Sequence, residues 1–394
     1  MNEIESVVDY IIKKGKCMRC GGCVAVCPQQ ILKIRYNKKT GFYDVIMDGK
    51  QCCKCGKCIK VCPAATNESS EKYIGKYKKI YLTSSVNQNI RINATSGGSI
   101  NEICRYLLEK KKVDKILLVK NEPDAKMLAK AKFVESEEEL LENPRQFASR
   151  YVSIPLCSLL KNVDKNKKYA VIGTPCQIIS ARRILGRDNI YLGIACSEGI
   201  SFKATEKYLK ELELKQIENI FYRGGGWPGR TTVFTHDGEI IEQEHYNSDF
   251  NAIYSSQIYR NKGCRFCHDQ FANEADISFF DFWNVLEVKN EKFGKSGTIV
   301  RTEIGEKLLE KLEEEKRIYI EETLDEKRVI DSQEWILLLK EKYWNHWTIK
   351  IYYLFINIFR LSIIEYILPI SFYRFFSKNF RRWIYLLKRI ERVK

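Results

Sequence analysis

The sequence predicts three parts in order: an α+β cysteine-rich unit over residues 1–70, an α/β domain with a largely parallel sheet over 75–330, and a basic helical tail over 331–394. Three observations carry this. A cysteine comb is written twice before residue 64, short β-branched runs alternate with amphipathic ones from residue 79 onward, and the composition turns aromatic and basic after Trp335.

The comb "CMRCGGCVAVCP" sets Cys17, Cys20, Cys23 and Cys27 at C-x2-C-x2-C-x3-C-P spacing, and "CCKCGKCIKVCP" repeats it with Cys52, Cys55, Cys58 and Cys62. Three thiolates on one tight loop reach three corners of an iron-sulfur cube, and in this bacterial run the fourth cysteine ligates the other cluster. The expected sets are Cys17, Cys20, Cys23 with Cys62, and Cys52, Cys55, Cys58 with Cys27. Each holds one 4Fe-4S cluster in a ferredoxin-like dicluster domain. A zinc ribbon uses four ligands in two pairs and does not account for this spacing twice over. Cys53 falls outside the comb and reads as a spare. Between the combs, "ILKIRYNKKTGFYDVIM" alternates around a Gly-containing turn and predicts a hairpin.

Bulk properties agree. A length of 394 residues suits two or three units, and 44% hydrophobic residues allow a sizeable core. "MNEIESVVDYIIKKGKC" has no apolar export core, so a reducing cytoplasm is expected, where clustered thiolates are metal ligands rather than disulfides. The net charge is +16; residues 341–394 hold eleven Lys/Arg against three Asp/Glu, half of that excess. No nucleic-acid motif accompanies the charge, so nucleic acid is not an expected partner.

After the linker "TNESSEKYIGKYKK", the runs "KIYLTSS", "VDKILLV", "YAVIG" and "NIYLGIAC" read as strands. "INEICRYLLEKK", "CQIISARRI" and "SFKATEKYLKEL" read as helices. Two strand-to-helix joints are chemically pointed: Thr95, Ser96, Gly97, Gly98 and Ser99, and then Gly173, Thr174, Pro175, Cys176 and Gln177. Free backbone N–H groups at such joints suit an anion, although either is also an ordinary helix entry. Neither is a dinucleotide GxGxxG fingerprint.

The segments "SGGSINEICRYLLEKKKVDKILLV", "KYAVIGTPCQI", "RGGGWPG" and "CRFCHDQFANEADISFFDFWN", following two cluster combs, resemble the coenzyme F420 hydrogenase/dehydrogenase beta-subunit family over residues 10–285. The resemblance implies an iron-sulfur flavoprotein that binds FAD and passes electrons between ferredoxin-type clusters and a hydride acceptor such as coenzyme F420. It assigns the FAD cradle to Ser96, Gly97, Gly98, Ser99, Thr174 and the turn holding Gly226, Trp227, Pro228 and Gly229. Two departures bear on the substrate: Phe280 and Asn284 stand where glycines are common in that family, and the loop at Cys196 reads "CSEG" where many relatives place a histidine.

Six cysteines lie beyond the combs. Cys176 and Cys196 end predicted strands, the edge at which open α/β sheets gather ligands, and Cys264 and Cys267 form a CxxC pair. Together they are candidates for a third 4Fe-4S cluster; zinc and free buried thiols are the alternatives. "CRFCH" also matches the c-type haem signature, which the lack of an export signal argues against. Cys104 and Cys157 read as core.

Clusters move single electrons whereas organic reductions take two, which is a physical reason to expect a flavin. Trp227 and Trp283 suit ring stacking or an aromatic core. Only four histidines occur and there is no nucleophile elbow, so hydrolase chemistry has little support. His268 is the weak candidate proton donor, and "THDGE" around His236 reads as a turn. In the tail, residues 351–373 form a nearly apolar stretch broken by Arg360, Glu365 and Pro369; interfacial or partner-docking helices come first, a packed subdomain second and a membrane span last. The expected function is a ferredoxin-linked oxidoreductase acting on a small-molecule acceptor. The rival is a non-catalytic subunit relaying electrons to a larger redox partner.

Overall fold

The computed structural model describes residues 7–49, 51–65, 74–283, 290–360 and 368–393. Asn284, linker residues 66–73 and tail residues 361–367, with Glu365, lie outside the described residues.

The first comb is followed by strands β1 (Leu32–Asn37) and β2 (Phe42–Met47), which pair antiparallel from Leu32↔Met47 to Asn37↔Phe42, the expected hairpin. The strands β3 (Lys79–Ser85), β4 (Lys115–Asn121), β5 (Ala129–Val134), β6 (Tyr169–Gly173) and β7 (Ile190–Ile194) follow. Next come β8 (Asn219–Phe221), β9 (Arg230–Phe234), β10 (Ile240–Glu244), β11 (Ile277–Asp281), β12 (Ser296–Val300) and β13 (Ile318–Thr323). Eight of these form one sheet in the order β13-β3-β12-β11-β7-β6-β4-β5, while β10-β9-β8 make a separate three-stranded sheet. His236 lies in the β9–β10 turn, as expected.

The predicted parallel sheet is found at the centre, where β4, β6, β7 and β11 run parallel. Every residue of β6 is buried, as in a strand covered on both faces. The flanks differ from the expectation: β5 pairs antiparallel with β4, and β12 enters antiparallel between β11 and β3, making the sheet mixed. The β11–β12 pair is closely packed. Phe280 faces Gly297 across the β11–β12 pair, and its ring fills the space that a Cβ at Gly297 would occupy. The bulky Phe280 is matched by a missing side chain on the neighbouring strand.

Because β3 runs in the same direction as β11, the C-terminal ends of β3, β4, β6, β7 and β11 share one edge. The tail is not detached. Ile336, Leu339, Tyr343, Trp344, Tyr353, Tyr373, Phe380 and Ile384 join a core with Ile200, Tyr208, Ile220 and Phe250. The packed alternative therefore holds for one face of the tail. Among the described residues no helix is long and apolar enough to cross a membrane.

Candidate functional site

The cysteine combs fold into two hollows. One is lined by Cys17, Cys20, Cys23 and Cys62, the other by Cys27, Cys52, Cys55 and Cys58, with Cys53 also on its wall. Cys62 thus lines the same hollow as the first comb, and Cys27 the same hollow as the second. Glycines make the tight loops: Gly21 and Gly56 take φ of +88° and +72° just before short helices. Four soft thiol donors around one hollow fit an iron-sulfur cube.

The two hollows differ in depth. Cys20, Cys23 and Cys62 are buried, whereas Cys53 and Cys55 are exposed. Burial pushes the Cys20 thiol up to about 11 and the Cys62 thiol up to about 12. Such thiols ionise only where a cation meets them, as metal binding does. At the outer hollow the Lys57 backbone N–H is the main influence holding Cys55 below its ordinary value.

The inner comb is docked on the α/β sheet. Cys157 N–H donates to the Cys20 carbonyl at 2.9 Å, and Arg183 donates to the Cys62 carbonyl at 3.2 Å. A Cβ on Gly22 would overlap Ser180 Oγ, and one on Gly263 would overlap the Cys17 carbonyl, so both loops need glycine for close approach. Cys157 is core, as expected, but core at this joint; Cys104 is buried in the helix Ser99–Glu109.

The third thiol group is brought together at the same edge. Cys176 lies within electrostatic range of Cys20, Cys196 and Cys267, and Cys196 within range of Cys264 and Cys267. Burial pushes Cys196 up to about 12, with Lys340 opposing it. Lys340, 2% exposed, reaches in from the tail: its Nζ donates to the Cys196 carbonyl at 2.7 Å and the Asp269 carbonyl at 2.9 Å, and lies 4.0 Å from Cys267 Sγ. Beside it, Arg260 pairs with buried Glu198 at 3.1 Å. Among the described residues no three His, Cys, Asp or Glu side chains converge as they would on a single metal ion.

The cradle residues fall into two places. Ser96 to Ser99 follow β3, and Trp227 lies with them: Gly294 touches the Ser96 backbone, and the Trp227 N–H donates to the nearby Lys292 carbonyl at 2.7 Å. Thr174 sits after β6, four strand positions away, roughly 19 Å at the usual spacing. One small anion cannot touch both groups, but a long ligand laid across the strand ends can. Several of these groups are also used internally. Ser99 Oγ meets Thr83 Oγ1 at 2.8 Å, Ser96 Oγ meets Ser296 Oγ at 3.0 Å, and Thr174 forms a capping box with Gln177. Gly97 is packed on strand backbone, and Gly229 on the Gly224 backbone.

Beside Ser96–Ser99 lies an aromatic and cationic cluster built on the two tryptophans singled out in the sequence, to which the fold adds Arg223 and His245. Trp227 and Trp283 pack at 4.7 Å between centroids, and His245 stacks on Trp283 at 5.5 Å. Buried Arg223 lies 5.0 Å over Trp283, pairs with Asp281 at 3.0 Å, and donates to the Thr95 carbonyl at 2.9 Å. Its Nε is buried without a hydrogen-bond partner among the described residues. Burial, reinforced by the Arg223 charge, drives His245 well below its ordinary value, so this imidazole is neutral near pH 7. His268 is exposed, whereas His245 is the histidine beside the ring stack. The pocket adjoins the thiols: Ala195 N–H donates to the Phe279 carbonyl at 2.8 Å, which puts Cys196 and Asp281 on neighbouring strand ends.

Twin cysteine hollows docked on an α/β sheet define an iron-sulfur electron-transfer protein, and residues 16–66 match a 4Fe-4S dicluster domain. Residues 80–161 and 166–326 match the N-terminal and C-terminal parts of the coenzyme F420 hydrogenase/dehydrogenase beta subunit. The chain belongs to that family. It is 25% identical over 339 residues to a coenzyme F420-dependent sulfite reductase of Methanocaldococcus jannaschii, covering 80% of this chain and 49% of the relative. The chain thus spans about half the length of that relative. It is 24% identical to a coenzyme F420 hydrogenase subunit beta of Methanococcus voltae, covering 55% of this chain and 79% of the relative. A chain of the F420-reducing [NiFe] hydrogenase complex from Methanosarcina barkeri shares the fold, with a TM-score of 0.52 and 21% identity over 69% of this chain and 92% of that one.

Proposed function

We propose that the protein is an iron-sulfur flavoprotein oxidoreductase that passes electrons between a redox-protein partner and a small organic acceptor, by way of three 4Fe-4S clusters and FAD. The observation that carries this reading is the order of the sites. The exposed hollow of Cys27, Cys52, Cys55 and Cys58 comes first, the buried one of Cys17, Cys20, Cys23 and Cys62 next. Then follow Cys176, Cys196, Cys264 and Cys267, and last the Arg223–Trp283 pocket at the strand ends.

The residues divide the work. Exposed Lys54, Lys57 and Lys60 around the outer hollow suit an acidic redox partner such as a ferredoxin. Lys340 and Arg260 supply positive charge beside the third thiol group, which four thiolates around iron would make negative. Ser96, Gly97, Gly98, Ser99, Thr174, Trp227 and Gly229 are assigned to FAD, with Arg223 holding its anionic or electron-rich part. When bound, FAD supplies the conversion between single-electron and hydride chemistry. Neutral His245, stacked on Trp283, is the imidazole that could exchange a proton there. The names of the relatives make F420 the first acceptor to try.

Visible spectroscopy tests the reading. Anaerobically purified protein is expected to show flavin absorbance that dithionite bleaches and that F420 or another small acceptor restores. Iron-sulfur absorbance with no flavin in it would return the protein to the role of a simple relay.

A further inference from the structure

We propose that the outer face of the C-terminal helix Ile370–Val393 is a docking surface for an anionic lipid bilayer, on which the protein lies without crossing. From Ile370 to Ile390 there are six Lys/Arg and no Asp/Glu. Three of these cations are used inside the molecule: Arg374 pairs with Asp249, Lys388 with Glu334, and Arg381 donates to Ser255 Oγ. Lys378, Arg382 and Arg389 have no ion-pair or hydrogen-bond partner among the described residues.

These three stand beside exposed apolar groups. Phe375 is 62% exposed, Leu386 53%, Trp383 49% and Ile390 47%. At 3.6 residues per turn, the seven side chains fall within roughly 140° of arc, the cations along one flank and the apolar groups along the other. The opposite face is taken by Tyr373, Phe380, Ile384 and Leu387, which are buried in the core. The outward stripe is therefore not needed for folding. The neighbouring helix Trp347–Arg360, packed on it through Tyr352 and Phe380 at 4.8 Å, exposes a second stripe of Trp347, Ile351 and Leu354.

The chemistry favours lipid over a protein partner. Protein interfaces pair opposite charges, whereas here an all-cationic flank, with no acidic residue from Ile370 to Ile390, runs beside the apolar stripe. A bilayer accepts that arrangement: aromatic and aliphatic groups enter the acyl boundary while long cationic side chains reach anionic headgroups. No shape-matched partner is required.

The test is cosedimentation of the full-length protein with vesicles of phosphatidylcholine, with and without phosphatidylglycerol. Binding is expected only with the anionic lipid and is expected to weaken as salt is raised. The triple variant K378Q/R382Q/R389Q, with unchanged iron content as the check on folding, is expected to bind on the order of 100-fold more weakly, about fivefold per charge. Replacing Leu386 and Ile390 by Ser is expected to lower binding while leaving the salt dependence in place. Failure of the wild-type protein to sediment with anionic vesicles, or equal binding by the triple variant, overturns the proposal and assigns the face to a protein.

Discussion

A Cys62→Ser protein is expected to lose about four irons per chain and the electron paramagnetic signal of one cube, while Cys53→Ser keeps both. Cys62 belongs to the second comb in sequence but lines the inner hollow with Cys17, Cys20 and Cys23. It is 9% exposed, and a serine there offers a hard, protonated hydroxyl where a thiolate is needed. The effect reaches further than one ligand. Because each comb lends its last cysteine to the other hollow, the crossing ties the two loops together, and metal-binding free energy in such a unit is folding free energy. A fall in melting temperature should accompany the loss of iron. Iron assay and low-temperature spectroscopy on the two variants decide it; retention of both cubes by Cys62→Ser contradicts the crossed assignment.

If the proposed third cluster is present, Lys340→Met is expected to lower its midpoint potential by on the order of 100 mV, the Coulomb effect of one charge a few ångströms away at an effective dielectric near 20. Methionine keeps most of the volume and removes the charge, so the change reports electrostatics rather than packing. Nζ stands 4.0 Å from Cys267 Sγ, and an electron added there is stabilised by the nearby cation. The variant also strips donors from the Cys196 and Asp269 carbonyls, at about 1–3 kcal/mol for buried groups left unpaired. A redox titration followed by electron paramagnetic resonance separates the two effects. A potential unchanged by the substitution detaches Lys340 from the cluster.

Local patterns were readable in the sequence. The comb spacing, the hairpin between Leu32 and Met47, and the strands ending at Gly173 and Ile194 each depend on residues close together in the chain. The nearness of Cys176 and Cys196 follows from their strands ending at one edge, whereas Cys264 and Cys267 reach it from a separate turn. What escaped depends on distant partners. Nothing near Lys340 marks it as a neighbour of Cys267, seventy-three residues earlier. Arg223 looks like any basic residue until Asp281 and Trp283 fold beside it. The antiparallel entry of β12 was hidden for the same reason, since the match of Phe280 to Gly297 exists only across the strand pair. The tail was legible only in composition: its apolar residues are shared between a core face and an exposed face, and only the packing separates the two.

The central claim is that Cys176, Cys196, Cys264 and Cys267 hold the cluster that joins the combs to the strand-end pocket. Iron content of anaerobically purified wild-type and Cys196→Ser protein tests it most directly. About twelve irons per wild-type chain are expected, three cubes of four, and about eight in the variant, with both comb signals intact. About eight irons in both proteins would contradict it.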